Sequence, residues 1–437
     1  MMAFMLIVFN SCKRETVDVT QLLTSVPSSA SGVVVFNVEG MLEDAGCKIK
    51  DHVVKPGAEV QALISKASSQ DQKDIMMFFD GSTGIEPKGA VIFYDSNRSF
   101  LTFALYDVSK FIEFVEKNNG GKFTETSGVK INGNVALVGS QAWVCLTPGK
   151  RLDPDAIASY ASLGSAQSFL VSPMGEMLLV DENDIRGWAV IKTFMNELMS
   201  RGDLGYATLG MGFLFEDAES VRFKVDFDKG EMESEIVVLN DKFKPAKYQL
   251  SSDKVDVNTL KSLGNTCNAM MAFTINSKLI KKLNQAASAF GSWIKIGELL
   301  NNVDGTVGLV STGDGIGESV NGVVTTKGDV SKELKDMIST WVSPVSQDGK
   351  LLRFSKGDVK GNLDVAECAD ELKGCAMGLI VDASELNNLG YGISAPAGFK
   401  TFVLKMKPES GGIELELELN TTNPKENALL TILKSMN

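Results

Sequence analysis

The sequence predicts an α+β fold with two related domains, each a mainly antiparallel sheet with helices packed on one face. Three observations lead to this prediction. Short apolar runs with the period of a strand outnumber helical segments, tight-turn residues join several consecutive runs, and the order of elements in the first half recurs in the second. The recurrence indicates an internal duplication.

The first half alternates between strand and helix patterns. The clearest helix begins at Asp107, which suits an N-cap, carries apolar residues at i, i+3, i+4 and i+7, and ends at Gly120. Strands are predicted at Gly32–Val38, Ala90–Tyr94, Phe100–Leu105, Val129–Ile131, Val135–Val138, Ala142–Leu146, Met177–Val180, Ala207–Phe215, Val221–Phe227 and Met232–Leu239. The other helices are predicted at Asn37–Gly46, Ala58–Ser69, Asp155–Ser162 and Ile185–Met199.

The second half opens like the first. Residues 241–262 are polar and contain Pro245, so we place a domain boundary between residues 245 and 246. A strand at Met270–Ile275 then leads into a helix that Asn276 would cap. The predicted divisions are a signal peptide over 1–11, a tether over 12–24, and domains over 25–245 and 246–437.

Four pairs of segments support the duplication because they keep the same order in both halves. The closing hairpins add an alternating pattern, in which the leucine face of residues 413–419 is predicted to be buried and the glutamate face to be in water. The matched segments are Phe36 with Phe273, Asp107–Lys110 with Asp329–Lys332, Leu178–Asp181 with Leu379–Asp382, and Met232–Val238 with Ile413–Leu419.

Composition limits the function. Hydrophobic residues make up 44% and charged residues 22% of the 437 residues, as in folded globular proteins. The net charge of −12 argues against a nucleic-acid partner, whose phosphates require a basic surface. It also argues against holding an anionic membrane by charge alone.

The start of the chain carries the strongest functional signal. The apolar run Leu6-Ile7-Val8-Phe9-Asn10-Ser11 is too short to span a bilayer, which needs about 20 apolar residues, but it fits the apolar region of a secretory signal. Cys12 follows directly, and this arrangement resembles the lipobox of bacterial lipoproteins, although Phe9 and Asn10 depart from its usual residues. The resemblance implies removal of residues 1–11, acylation of Cys12 and attachment to a lipid bilayer.

The other five cysteines form no Cys-x-x-Cys pair, so neither a zinc site nor a redox motif is predicted. Cys368 and Cys375 could form a disulfide in an oxidising compartment. The favoured interpretation is that all five are small buried hydrophobic residues. The other three of these five cysteines are Cys47, Cys145 and Cys267.

Patterns for enzyme chemistry are weak. His52 is the only histidine and is interpreted as a surface residue, which argues against histidine-based triads and metal sites. Ser251 and Lys254 have a Ser-x-x-Lys spacing but lie in the predicted linker, and Gly313–Gly317 is interpreted as a hairpin turn rather than a phosphate loop. Core packing is favoured over glycan stacking for the four tryptophans, Trp143, Trp188, Trp293 and Trp341. No catalytic residue, cofactor or metal is predicted.

Two further segments resemble a known family. The first segment is Val26-Pro27-Ser28-Ser29-Ala30-Ser31-Gly32-Val33-Val34-Val35, and the second is Ser82-Thr83-Gly84-Ile85-Glu86, which precedes a strand. Together with the lipobox, these segments are similar to a family of uncharacterised lipoproteins common in Bacteroidetes. The resemblance implies a cell-envelope lipoprotein containing a domain of unknown function and supplies no catalytic residues. Outer-membrane attachment is expected, facing either the periplasm or the cell surface.

The expected function is therefore a non-catalytic binding or structural module, with an envelope protein or a glycan as its partner. The alternative is a carboxylate-based extracellular hydrolase acting on glycans, because two acidic residues distant in sequence are sufficient for that chemistry. With 55 acidic residues, the sequence cannot select such a pair.

Overall fold

We analysed a computed structural model of the chain. It describes residues 19–95, 97–180, 182–192, 214–249, 251–289, 300, 302–312, 319–389 and 396–436. Cys12, Trp293, the Gly313–Gly317 segment and most of the predicted strand at Ala207–Phe215 lie outside these residues. The described parts are a mixture of helices and strands, and the strand pairs given below are all antiparallel.

The chain divides into two compact units. Unit 1 comprises Met1–Asp203, Ser220–Ser234 and Asn423–Asn437, and unit 2 comprises Leu204–Glu219 and Glu235–Thr422. The division between Ser234 and Glu235 falls before the boundary predicted at residue 245. The last fifteen residues belong to unit 1 instead of the second domain. This return was not predicted because the sequence pattern gives no information on which core the final helix joins.

Unit 1 is built on an antiparallel sheet with β1 between β10 and β4. From one edge to the other, the strand order is β11–β10–β1–β4–β5–β9–β8–β7–β6. Its strands are β1 (Gly32–Phe36), β4 (Ile85–Asp95), β5 (Arg98–Leu105), β6 (Thr124–Thr126), β7 (Val129–Asn132), β8 (Val135–Val138), β9 (Gln141–Cys145), β10 (Ile185–Val190) and β11 (Ser220–Phe227). A separate hairpin joins β2 (Lys48–Lys50) to β3 (Val53–Lys55), and β12 (Glu231–Leu239) crosses the division between the units.

The main strands of unit 2 are also antiparallel, and β14 lies between β20 and β15. Its strand order is β22–β21–β20–β14–β15–β16–β18–β17. These strands are β14 (Ala269–Ile275), β15 (Val303–Ser311), β16 (Val320–Thr326), β17 (Val345–Asp348), β18 (Leu351–Lys356), β20 (Met377–Asp382), β21 (Phe399–Glu409) and β22 (Gly412–Thr421). A short pair joins β13 (Thr266–Cys267) to β19 (Leu363–Asp364).

The helices follow the predicted capping chemistry at several ends. Asp107 accepts hydrogen bonds from the backbone N–H groups of Ser109 and Lys110, and Gly120 ends that helix in a left-handed conformation. The helices of unit 1 are α1 (Thr20–Thr24), α2 (Val38–Asp44), α3 (Ala58–Lys66), α4 (Ser69–Phe79), α5 (Val108–Asn119), α6 (Pro154–Ala161), α7 (Pro173–Val180) and α12 (Ala428–Met436). Those of unit 2 are α8 (Val257–Lys261), α9 (Ser277–Ala289), α10 (Lys332–Ser339) and α11 (Val365–Glu371).

Helices cover both faces of each sheet, so the prediction of helices on one face is wrong. In unit 1, Phe100 and Phe103 point to opposite faces of β5 because three positions separate them. The ring centroids of Phe100 and Tyr160 of α6 are 5.7 Å apart, whereas those of Phe103 and Phe111 of α5 are 5.8 Å apart. A sheet that is apolar on both faces needs two covering layers.

Unit 2 repeats this arrangement. Val323 and Val324 are neighbours on β16 and therefore point to opposite faces. Val323 packs in a cluster with Leu260 of α8 and Leu372, whereas Val324 packs in a cluster with Leu334 of α10. Both faces of this sheet are consequently buried by helices.

Two neighbouring segments of the first half have the opposite secondary structure from the one predicted. Met177–Val180, predicted as a strand, belongs to helix α7, and the start of the helix predicted at Ile185–Met199 is strand β10. A continuous run of apolar residues has no period that distinguishes a helix from a buried strand. Tertiary pairing decides the second case, since Ile185 pairs with Phe36 in the sheet.

The start of the folded region lies earlier than predicted. Val19 is 1% exposed, and helix α1 buries Leu22 and Leu23. The end of the predicted tether over 12–24 is thus part of the core of unit 1. None of the helices in the described parts of the chain has the length and apolar character that a bilayer crossing requires.

Candidate functional site

A group of polar and aromatic side chains meets at the β2–β3 turn of unit 1. His52 Nδ1 lies 3.0 Å from Glu86 Oε2, and the His52 ring stacks on Tyr106 at a centroid distance of 4.2 Å and an interplanar angle of 5°. Lys110 Nζ donates a hydrogen bond of 3.2 Å to the Tyr106 hydroxyl. We call these four residues, with Gly81, the His52–Tyr106 patch.

The backbone of the β2–β3 turn places His52 in this patch. Lys50 pairs with Val53, so Asp51 and His52 form a two-residue turn. Both have positive φ angles, 49° and 65°, which match the twist of the flanking strands but are unfavourable for side chains other than glycine. The contact with Glu86 and the ring stack on Tyr106 hold His52 in position.

The Tyr106–Lys110 contact starts from helix α5. Lys110 lies in its first turn, so its ammonium group reaches back to Tyr106, which also donates a hydrogen bond to the Gly81 carbonyl. The hydrogen bond to Tyr106, followed by the charges of Asp107 and Asp80, raises the pKa of Lys110. This lysine is therefore a cation at neutral pH rather than a general base.

The patch combines a stacked aromatic pair, a cation and a carboxylate, and the side chain of His52 is 39% exposed. Aromatic faces with adjacent charged groups bind ligands by stacking and hydrogen bonding. A histidine–carboxylate pair can also orient a general base. The Tyr106 hydroxyl donates a hydrogen bond to Gly81 and accepts one from Lys110, so the patch presents a stacked ring pair beside charged groups. The sequence interpretation of His52 as a surface residue missed its partners, which come from separate segments.

A second ionisable group lies inside unit 1. Asp184 is 0% exposed, and its Oδ2 accepts a hydrogen bond of 3.0 Å from the Phe227 N–H. Burial, followed by the charge of Asp226, raises the pKa of Asp184 to about 9. Asp184 therefore holds its proton at neutral pH.

Asp184 does not have the exposure of a catalytic carboxyl group in a glycan hydrolase. Retaining and inverting enzymes hold their carboxyl groups about 5–9.5 Å apart to admit the sugar or a water molecule. A sugar cannot reach a carboxyl group that is 0% exposed. The raised pKa of Asp184 is a property of a general acid, but its complete burial supports a structural role.

The cysteines are buried, as the favoured interpretation predicted. The five thiols of Cys47, Cys145, Cys267, Cys368 and Cys375 are all free and buried. The disulfide considered for Cys368 and Cys375 is not formed. Cys267 and Cys368 instead belong to one apolar cluster of unit 2.

The tryptophans divide into two groups. Trp143 and Trp188 are 0% and 7% exposed, which confirms core packing for both. Trp341 is 78% exposed, so core packing is wrong for this residue. It follows the end of α10, where the helical period that suggested burial no longer applies.

The closing hairpin also differs from its prediction. The glutamate and lysine face is the more buried one: Lys405 and Glu416 are 5% and 6% exposed, whereas Leu415 and Leu417 are half-buried. Lys405 forms ion pairs with Glu371 and Glu418, and Lys407 pairs with Glu416. Because these charges are paired, the charged face of the hairpin can be buried.

Comparisons with known proteins give little further information. No family model matches the chain, and no curated protein matches it significantly. Crystal form III of TP0453 is similar at 9% sequence identity over 82% of this chain and 97% of that one, with a TM-score of 0.32. Crystal form I of TP0453 has 11% identity, the same coverage and the same TM-score. Values this low carry no argument about fold or function.

Proposed function

We propose that the chain is a membrane-anchored lipoprotein of a bacterial cell envelope that acts as a non-catalytic binding or structural module. The acylated Cys12 would hold it on the outer membrane, on the periplasmic face or the cell surface. Its partner would be an envelope protein or a glycan. The Bacteroidetes lipoprotein family resembled by the sequence is consistent with this proposal.

The observation that carries the proposal is the burial of Val19, close to Cys12 in the sequence. Val19, at 1% exposure, lies seven positions after Cys12. Seven residues span at most about 25 Å, so acylation at Cys12 would hold unit 1 close to the bilayer. A short link between an anchored cysteine and a packed domain fits a protein that works at the membrane surface.

Metabolic labelling tests the anchor. Cells that produce the full chain are grown with an alkyne-tagged fatty acid, and the purified protein is examined for label and for its N-terminal peptide. We expect label on a chain that begins at Cys12, and none on a Cys12→Ser variant. A Cys47→Ser variant should be labelled like the wild type. An unlabelled wild-type protein that retains residues 1–11 would refute the proposal.

We also propose that the two units are copies of one ancestral domain. The order β11–β10–β1–β4–β5–β9 in unit 1 has the same connectivity as β21–β20–β14–β15–β16–β18 in unit 2. In both, the central strand leads into a helix capped by the next residue, Asn37 or Asn276. This support comes from topology, because the sequence match of Leu178–Asp181 with Leu379–Asp382 compares a helix with a strand.

The His52–Tyr106 patch is the proposed contact for the partner. Binding to envelope proteins and to a glycan panel is compared between the wild type and His52→Ala and Tyr106→Ala variants. We expect both variants to lose at least tenfold in affinity, while Trp341→Ala, an exposed aromatic residue in unit 2, retains it. Equal binding by all variants would exclude the patch as the contact.

The alternative of a carboxylate-based hydrolase depends on the raised pKa of Asp184. Activity toward glycans is measured for the wild type and for Asp184→Asn and Asp226→Asn variants. Turnover that both substitutions abolish, in proteins that remain folded by circular dichroism, would replace the binding proposal with the enzymatic one.

A further inference from the structure

One helical layer of unit 1 surrounds the segment Phe169–Val171, a single helical turn. Val33 pairs with both Trp188 and Phe93, so these three side chains share one face of the sheet. The ring centroids of Phe169 and Trp188 are 5.6 Å apart, which places Phe169 over this face. Phe93 packs edge-on against Tyr160 of α6, with 5.5 Å between their ring centroids. Phe169 and α6 therefore belong to the same layer.

The first folded residues of the chain join this layer. The carbonyl of Leu23 in α1 accepts a hydrogen bond of 3.2 Å from the Ser168 hydroxyl. The Val26 carbonyl accepts one of 2.8 Å from the Phe169 N–H. Gly175 of α7 lies so close to Phe169 that a Cβ atom there would be 2.2 Å from the Phe169 carbonyl oxygen. Helix α1, Phe169 and α7 are thus packed together.

The outer side of α7 is apolar and exposed. Val180 is 73% exposed, and Val171, just before α7 begins, is 54% exposed. Pro173 is exposed as well and shares one side of the helix with Val180, because seven positions separate them. Glu176 is the only charged residue among residues 165–180, in a chain that is 22% charged. We call Val171, Pro173 and Val180 the valine face.

We propose that the valine face lies in the headgroup region of a lipid bilayer and orients unit 1 on the membrane. The inference rests on the proposed acylation of Cys12. The seven positions from Cys12 to Val19 span at most about 25 Å, so the layer that contains α1 is held near the bilayer surface. Val171 and Val180 belong to that layer, and lipid is the apolar partner within their reach.

The charge of the protein agrees with lipid contact through apolar side chains. The net charge of −12 opposes contact with an anionic surface, whereas the valine face has no charged side chain. Valine and proline side chains gain free energy when they leave water. The expected surface is therefore zwitterionic lipid, held by the acyl anchor and by the valine face together.

Unit 1 contains a matched site on its opposite layer. Met76 of α4 is also an exposed apolar residue, at 44% exposure. Its neighbours Phe78 and Phe79 pack in a cluster with Phe103, which lies on the other face of the sheet. A unit that places the valine face on the bilayer directs this opposite layer away from it. No lipid contact is expected at Met76.

Fluorescence quenching by lipid tests the proposal in two variants, Val180→Trp and Met76→Trp. The mature chain, residues 12–437, is coupled through Cys12 to a maleimide phospholipid in phosphatidylcholine vesicles. Coupling is selective because the other five thiols are buried, and it anchors the protein whether or not cells acylate it. Phosphatidylcholine with brominated acyl chains should reduce the fluorescence added by Val180→Trp at least twofold. It should leave the fluorescence added by Met76→Trp unchanged.

A further substitution separates apolar contact from proximity to the anchor. Val171→Asp, added to the Val180→Trp variant, should reduce the quenching at least twofold because it places a carboxylate on the valine face. Met76→Asp in the same background should not change it, and circular dichroism establishes that each variant is folded. Equal quenching of Val180→Trp and Met76→Trp, or quenching that Val171→Asp leaves unchanged, would overturn the proposal.

The protein from cells separates this result from the test of the anchor. If it carries fatty acid on Cys12 and the coupled Val180→Trp variant is not quenched, the valine face is refuted and the anchor stands. If the coupled variant is quenched as expected and the cellular protein lacks fatty acid, the lipid contact is supported and the anchor proposal alone fails.

Discussion

Lys405 of β21 donates a hydrogen bond of 2.6 Å to Glu418 of β22, and the Lys405 side chain is only 6% exposed. Burial alone would lower the pKa of this lysine, but hydrogen bonds to Glu371 and Glu418 raise it. The lysine is thus a buried cation held by carboxylates. Such pairs are costly to break because each leaves an uncompensated charge in the interior.

We therefore expect Lys405→Met to destabilise the protein by about 3–5 kcal/mol. The loss follows from Glu371 and Glu418, which lose their paired cation. Urea unfolding monitored by circular dichroism measures the change. Lys400→Met, at an exposed position on the same strand, should change the free energy of unfolding by no more than about 0.5 kcal/mol. Equal effects of the two substitutions would contradict the ion-pair explanation.

Asp184 predicts a pH dependence of stability. Its pKa is about 9 in the folded protein, against about 3.9 for an unperturbed aspartate. Between these values the folded state holds a proton that the unfolded state has lost. The free energy of unfolding should then fall by up to about 1.4 kcal/mol per pH unit as the pH rises.

The Asp184→Asn variant should remove this contribution, because the amide keeps a hydrogen-bond donor without titrating. Urea unfolding at pH 5 and pH 8 is compared for the variant and the wild type. We expect the variant to gain stability relative to the wild type at pH 8. Asp241→Asn, at an exposed site, should keep the wild-type pH dependence, and a variant profile parallel to the wild type would refute the assignment.

The two classes of tryptophan should respond differently to truncation. Trp143 is fully buried, so Trp143→Ala should cost about 3–5 kcal/mol by leaving a cavity. Trp341→Ala removes a side chain that is 78% exposed and should change stability by about 0.5 kcal/mol at most. Thermal unfolding followed by circular dichroism distinguishes them. A large loss for Trp341→Ala would mean that this residue packs against other parts of the chain.

A matched pair of glycines tests close packing at the start of β4. Gly84 has φ +71°, and a Cβ atom there would lie 2.0 Å from the Asp107 carbonyl oxygen. Gly128 has a similar φ of +76° but open space around the Cβ position. We expect Gly128→Ala to cost about 1–2 kcal/mol from the left-handed backbone alone.

Gly84→Ala should cost about 3 kcal/mol or more, because backbone overlap adds to the conformational cost. Chemical denaturation of the two variants gives the comparison. If both lose the same stability, the contact between Gly84 and Asp107 is not tight.

Local chemistry was sufficient to predict many elements. Asp107 caps α5, Gly120 ends it, Asn276 caps α9, and the hairpins near Asn132–Asn134 and Gly139–Ser140 form as expected. These features depend on a few consecutive residues, and a side chain that satisfies its own backbone acts in the same way in any fold. The His52–Tyr106 patch could not be predicted, since its members lie on segments separated by turns and strands.

The sequence by itself determined that the chain would fold into antiparallel sheets with helices, where most strands lie, and that its five described cysteines would be buried. Only the tertiary structure decided that helices cover both faces of each sheet, that Met177–Val180 is helical, and that Cys267 and Cys368 share one apolar cluster. Period and capping report local geometry, whereas a short apolar run or a thiol acquires its role from the surface that packs against it. That surface is formed by residues distant in sequence, so its effect appears only when the chain is folded.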